Sequence, residues 1–163
     1  MRGSIRLLVG TALLAGIAPG LRAQTAVRQD GVYQSQEERD SGGDPAWTYL
    51  RFTPDGMVIT FPTSAGRADQ LGSFSLSNPM LAIASVTTGE RGISFTVSDC
   101  GGVLVSYEGR SEGDRLYLRV HANNGFQAER VFTFVPIPAD RLRQWDASGG
   151  VQDPCRSFDT PRR

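Results

Sequence analysis

Chain-reversal signals recur every 10 to 12 residues along the middle of this 163-residue chain. That spacing limits what the chain can fold into more than any other feature. Gly56, Gly66, Asn78-Pro79, Gly89, Gly101, Gly113 and Gly125 mark the breaks. Three of them carry hairpin chemistry: Pro54-Asp55-Gly56, Glu112-Gly113-Asp114 and Asn124-Gly125. Glycine and asparagine accept the positive φ that tight turns demand, and proline presets the turn entry. Short runs rich in β-branched and aromatic residues, broken at this interval, predict an all-β sandwich or barrel.

The runs between the breaks alternate as half-buried strands do. Ile93, Phe95 and Val97 share one face, opposite Ser94, Thr96 and Ser98. Val103, Val105 and Tyr107 alternate with Leu104, Ser106 and Glu108, and Leu116, Leu118 and Val120 alternate with Arg115, Tyr117, Arg119 and His121. Met57, Ile59 and Phe61 share a face after the Pro-Asp-Gly turn. One apolar face per strand is the pattern of a sheet wrapped round a single core. The expected strands span 31–36, 47–53, 57–62, 70–76, 81–86, 93–98, 103–108, 115–121 and 126–135. For residues 78–88 the local signals fit a strand and a short helix equally, because Asn78-Pro79 is also a helix-start pattern. Short connections make sequence neighbours sheet neighbours. Eight or nine strands in an up-and-down antiparallel meander then close on themselves, which removes exposed edges. The polar stretch Gln36–Ala46 reads as a long surface loop. Pro136 and Pro138 end the sheet, residues 140–145 fit one or two helical turns, and the remainder to Arg163 reads as an extended tail.

This pattern resembles a lipocalin-like (calycin) barrel over roughly residues 31–136. Gly31-Val32-Tyr33 is similar to the Gly-x-Trp signature that opens those barrels, with Tyr in place of Trp. Tyr49 through Gly56, followed by Met57-Val58-Ile59, resembles a strand-turn-strand phrase recurring in such domains. The resemblance implies that an arginine of the last strand packs on the Tyr33 ring by cation–π contact, with Arg130 the first candidate and Arg119 the second. It leaves the function open, since such barrels host many.

The N-terminus reads as a secretory signal peptide over residues 1–23: Arg2 and Arg6, an uncharged apolar stretch from Leu7 to Ala18, then Ala23 before Gln24. That stretch is shorter than the roughly 20 residues needed to cross a bilayer. The expected product is periplasmic or secreted, with no stable membrane insertion after cleavage. Residues 24–30 then form an N-terminal segment, 31–136 the barrel domain and 137–163 the tail. All 17 basic residues are arginine; without the signal, 14 face 17 acidic residues, a net charge of −3. A weakly acidic domain without a basic run lacks the electrostatic footprint of a nucleic-acid binder. Two cysteines in an exported chain are expected to pair, so Cys100 and Cys155 would form a disulfide anchoring the tail. The entropy of the 56-residue loop so closed corresponds to about 4 kcal/mol. No histidine or basic cluster stands near either cysteine to favour a reactive thiolate.

Catalytic signals are absent. His121 is the only histidine and falls on the polar face of its strand. There is no nucleophile elbow, no phosphate-cradling glycine loop and no zinc-ligand spacing. Glu108 and Glu129 are single strand carboxylates, and Asp99 is a turn residue. The sequence therefore predicts no catalytic residue, no metal and no cofactor. Tyr49, Phe61, Phe95, Tyr107 and Phe132 are the candidate lining of a ligand cavity, their phenols supplying polar handles in an apolar pocket for a small apolar or amphipathic ligand. Alternatively, the rings pack a filled barrel, and the protein is a structural or protein-interaction module of the cell envelope.

Overall fold

The structure, a computed structural model, describes residues 26–39, 42–64, 66–68, 81–89, 92–98 and 102–147. The turn chemistry lays out its frame. Gly56, Gly113 and Gly125 all adopt positive φ, and around Gly56 the chain closes with Gly56 N donating to Thr53 O and Thr53 N to Met57 O. Between such reversals lie β1 (Gly31–Ser35), β2 (Glu38–Arg39), β3 (Pro45–Phe52), β4 (Met57–Thr63), β5 (Ala82–Ser85), β6 (Thr87–Gly89), β7 (Gly92–Ser98), β8 (Leu104–Glu112), β9 (Arg115–Ala122) and β10 (Gln127–Pro136). One helix follows, α1 (Ala139–Ala147).

The strands form a nearly closed antiparallel barrel. Their order is β5-β4-β3-β1-β10-β9-β8-β7-β6, with β2 paired only to β3. β5 and β6 are two halves of one extended segment interrupted at Val86. The first half pairs with β4 and the second with β7, so a single stretch of chain carries the ladder from one margin of the sheet to the other. Closure in this way leaves few free edges, as the meander pattern predicts. Residues 82–85 are strand, which resolves the strand-or-helix ambiguity over that stretch. The expected strand 70–76 lies outside the described residues, and β4 pairs directly with β5.

Glycine is required where strands crowd. A side chain at Gly31 would strike the Val135 carbonyl oxygen and come within 2.6 Å of the Phe134 ring, and one at Gly109 would overlap the Tyr117 carbonyl. Only a residue lacking Cβ permits such backbone approach.

Among the described residues two apolar clusters are present, where one was expected. The barrel interior holds Tyr33, Leu50, Phe52, Val58, Phe95, Tyr107, Leu118, Phe132 and Phe134 among others. A second cluster lies outside the barrel wall: Val32, Tyr49, Ile59, Ala68, Leu81, Ile137 and Trp145. β1, β3 and β4 are therefore apolar on both faces, and α1 covers the outer one. The helix starts where Pro136 and Pro138 end the sheet. The Pro138 carbonyl accepts from Arg141 N and Leu142 N, and Asp140 sits in the first turn, where a carboxylate complements the helix dipole. Leu142 and Trp145, three residues apart, face the barrel.

The helix is pinned by a buried cation. Arg51 points outward from β3, only 3 % exposed, and its Nη2 donates to Asp146 Oδ1 of α1 at 2.7 Å. Its guanidinium also lies 5.6 Å from the Trp145 ring centre. Nε and Nη1 find no hydrogen-bond partner among the described residues.

Three expectations are revised. The stretch Gln36–Ala46 is not wholly loop, because β2 pairs with the start of β3 through Glu38↔Ala46 and Arg39↔Pro45. Neither Arg130 nor Arg119 packs on Tyr33. The register sets Phe134 opposite Tyr33, which leaves Arg130 nearer the other end of β10, while Arg119 sits on the exposed outer face. The expected cation at that end is supplied instead by Arg28, whose guanidinium lies 3.8 Å from the centre of the Phe134 ring. The expected single core is two, separated by the wall of β1, β3 and β4, with α1 covering the outer one. The signal segment and both cysteines, Cys100 and Cys155, lie outside the described residues.

Candidate functional site

The two ends of the barrel differ. At one end the N-terminal segment seals the interior. Arg28 N donates to the Tyr33 hydroxyl at 3.0 Å. The Arg28 side chain grips Asp30 (2.6 and 3.0 Å) and Asp114 (2.9 Å), and its hydrogen bonds hold the Asp30 carboxyl below the ordinary carboxylate range. Above this floor, rings fill the lumen edge to face: Tyr33 meets Phe134 at 5.2 Å and Phe52 at 5.7 Å, and Phe52 meets Phe95 at 6.0 Å. Phe95 then stacks on Tyr107 at 4.7 Å with 13° between planes. Such pairs add about 0.5–1.5 kcal/mol each beyond the area they bury.

Toward the opposite end some interior side chains are small and partly accessible, while Val97, Tyr107 and Val120 remain buried. The register places Ala46 and Thr48 on the same face as Leu50, Ala82 on that of Ala84, and Ala128 on that of Phe132. Each of these four is partly accessible, whereas Tyr33, Phe52 and Phe134 at the floor are buried. The interior thus has an aromatic base and, toward the other end, four smaller and partly accessible side chains. The rim carries the exposed apolar side chains Leu104 and Phe126, each 47 % exposed.

The largest polar side chains on the interior face toward this end are Tyr107 and Arg130. Tyr107 is 5 % exposed and belongs to the interior cluster. On the interior face of β10, opposite Leu118, Arg130 points the same way as Phe132. Its Nη2 is paired with the Glu38 carboxylate of β2, and its guanidinium lies 5.7 Å from the Phe126 ring. Burial pushes the Tyr107 phenol above its ordinary value near 10, an effect that Arg130 partly offsets and Glu38 reinforces. Burial also raises Tyr33. A phenol harder to ionise when folded contributes stability that is complete below the unfolded value of about 10 and is lost as pH rises through the folded value. Thermal unfolding followed from pH 9 to 11.5 is expected to show a steep alkaline loss in the wild type and a shallower one in Tyr107→Phe. Parallel profiles would contradict this.

The structure divides the five candidate lining residues. Phe95, Tyr107 and Phe132 belong to the interior cluster. Tyr49 and Phe61 lie on the outer wall, in or against the cluster under α1. The five are not brought together in one cavity. β3 and β4 carry apolar residues at successive positions, Tyr49-Leu50 and Val58-Ile59, so alternation alone does not say which set faces inward. Glu38 and Arg130 were not among the candidates as a pair, because they stand 92 residues apart.

Other groups considered for chemistry are dispersed. His121 is half-buried on the outer face, between Ser106 and Gln127. Glu108 and Glu129 flank Arg119 from the two neighbouring strands, lining a groove of about 590 Å³ on the outer wall with Arg110 and Tyr117. Opposite charges set directly across strands stabilise a ladder by about 0.2–1 kcal/mol each, and that accounts for this surface. Asp99 lies outside the described residues. Among the described residues no group of three or more His, Cys, Asp or Glu is placed to hold a metal ion. None of their helices is long and apolar enough to cross a membrane.

No protein-family model, no curated protein and no solved structure matches the chain.

Proposed function

We propose that this protein is an exported, non-catalytic binder that takes a small, partly apolar molecule into the open end of its barrel. The supporting observation is the gradient along the lumen. Its floor is sealed by packed rings and the Arg28 clasp, while toward the other end Ala46, Thr48, Ala82 and Ala128 are partly accessible on the interior face that also carries Tyr107 and Arg130. An apolar wall with few convergent polar groups is what small-ligand sites present. Export follows from the basic, apolar and small-residue sections of the N-terminus.

The test is to crowd the mouth. Native mass spectrometry with 1-decanol is expected to show a one-to-one adduct of the wild type. Ala128→Phe, which sets a ring among the small residues of the rim, is expected to weaken that adduct about tenfold or more, a loss of about 1.4 kcal/mol or more. A correctly folded Ala128→Phe that binds as the wild type does would defeat the reading. A second reading, a protein-interaction module with a filled barrel, draws on the exposed Leu104 and Phe126. It predicts that no adduct forms and that Leu104→Ser with Phe126→Ser abolishes capture of a partner protein.

A further inference from the structure

Arg130 occupies an unusual place for a charged side chain. It lies on the lumen face of β10, two residues from Phe132 and opposite Leu118, and its side chain is only 18 % exposed. A cation in such a position needs an anionic partner, since desolvation without pairing is costly. Among the described residues the only carboxylate that meets it is Glu38. That partner comes from an insecure support. β2 is two residues long, lies off the main path of the sheet, and is held by two register pairs with β3. Glu38 itself remains 33 % exposed. The charged anchor is thus built into the barrel wall, while its counter-ion hangs on a short strap at the mouth.

We propose that Arg130 is the anchor for the acidic group of a ligand with an apolar body, and that Glu38 holds this anchor as an internal carboxylate until such a ligand displaces it. This rests on the reading of the barrel interior as a small-molecule site and adds the ligand's chemical class. A carboxylate suits the anchor because a guanidinium offers paired donors that match its two oxygens. The Tyr107 hydroxyl, on the interior face and within the electrostatic reach of both Arg130 and Glu38, supplies a further donor. The apolar body would lie along the lumen wall, with Phe126 beside the guanidinium and Leu104 at the rim as outlying apolar surface. Displacement breaks one charge-assisted pair and makes another, so net charge in the lumen is unchanged.

An internal competitor leaves a measurable trace. If the strap pair is engaged about nine-tenths of the time, an incoming anion binds about tenfold more weakly than its intrinsic affinity allows, and a neutral analogue is not penalised in the same way. The experiment uses the full chain with decanoate and 1-decanol as matched probes, followed by isothermal calorimetry at pH 8. Glu38→Gln is expected to tighten decanoate about tenfold while moving 1-decanol by less than about twofold. Arg130→Gln is expected to erase the preference for decanoate over 1-decanol. Circular dichroism verifies that both variants are folded, and Tyr107→Phe, which deletes only an oxygen, should weaken decanoate alone. If 1-decanol binds but the ratio between the probes is the same in wild type, Glu38→Gln and Arg130→Gln, the anchor is wrong and the small-molecule reading survives. If neither probe binds any of these proteins, the small-molecule reading fails and takes the anchor with it.

Discussion

Asp146→Ala should lower the unfolding free energy by about 3 kcal/mol, whereas Arg51→Met should change it by less than about 1 kcal/mol. The asymmetry follows from exposure. Arg51 is 3 % exposed, and two of its nitrogens lack partners among the described residues, while Asp146 is 56 % exposed. Removing the aspartate strands a buried cation beneath α1. Removing the cation leaves a carboxylate that water can solvate, and methionine restores apolar contact with Ile59 and Trp145. Breaking a buried pair by deleting one partner costs about 3–5 kcal/mol, and the lower figure applies here because one partner is half in water. Urea denaturation measures both variants. Trp145 fluorescence adds a local readout, as a freed α1 exposes that ring. If Arg51→Met proves the more damaging, Arg51 has further partners that account for its burial.

The second large effect is expected at Gly109. Its virtual Cβ lies 2.9 Å from the Tyr117 carbonyl carbon, closer still to that oxygen, and 3.0 Å from Leu118 Cα. All three atoms are backbone of the adjoining strand β9, so no side chain can swing aside. Gly109→Ala must push β8 and β9 apart at the point where Gly109 pairs with both Ile93 and Leu118. Overpacking of this kind costs about 1–3 kcal/mol even where neighbours can adjust, and here about 3 kcal/mol or more is expected. Gly89→Ala is the internal control, since a Cβ there meets nothing within 4 Å, and its stability should stay within about 0.5 kcal/mol of wild type. Equal tolerance at the two positions would show that β8 and β9 separate more readily than their register implies.

Much of the barrel was legible because turns and alternation are local properties. Asn124-Gly125 and Gly113-Asp114 fix hairpins through their own φ preferences, and Ile93-Ser94-Phe95-Thr96-Val97 declares its buried face without reference to any other strand. The same logic was ambiguous for β3 and β4. Tyr49 and Leu50, or Val58 and Ile59, are equally apolar neighbours, and a period of two cannot rank two greasy faces. A 2-residue strand such as β2 carries too little pattern to register at all.

The sequence by itself determined that the chain reverses at Gly56, Gly113 and Gly125 and that the stretches flanking these turns are extended and pair, because each depends on residues close together along the chain. Only the tertiary structure decided which apolar face α1 would cover, and hence that Tyr49 and Phe61 lie outside the lumen while Phe95, Tyr107 and Phe132 lie within. It alone brought Glu38 to Arg130, Arg51 to Asp146 and Arg28 to Phe134. These contacts join residues that are distant in the chain, and burial makes their charges matter, a property that belongs to the closed barrel rather than to any segment of it.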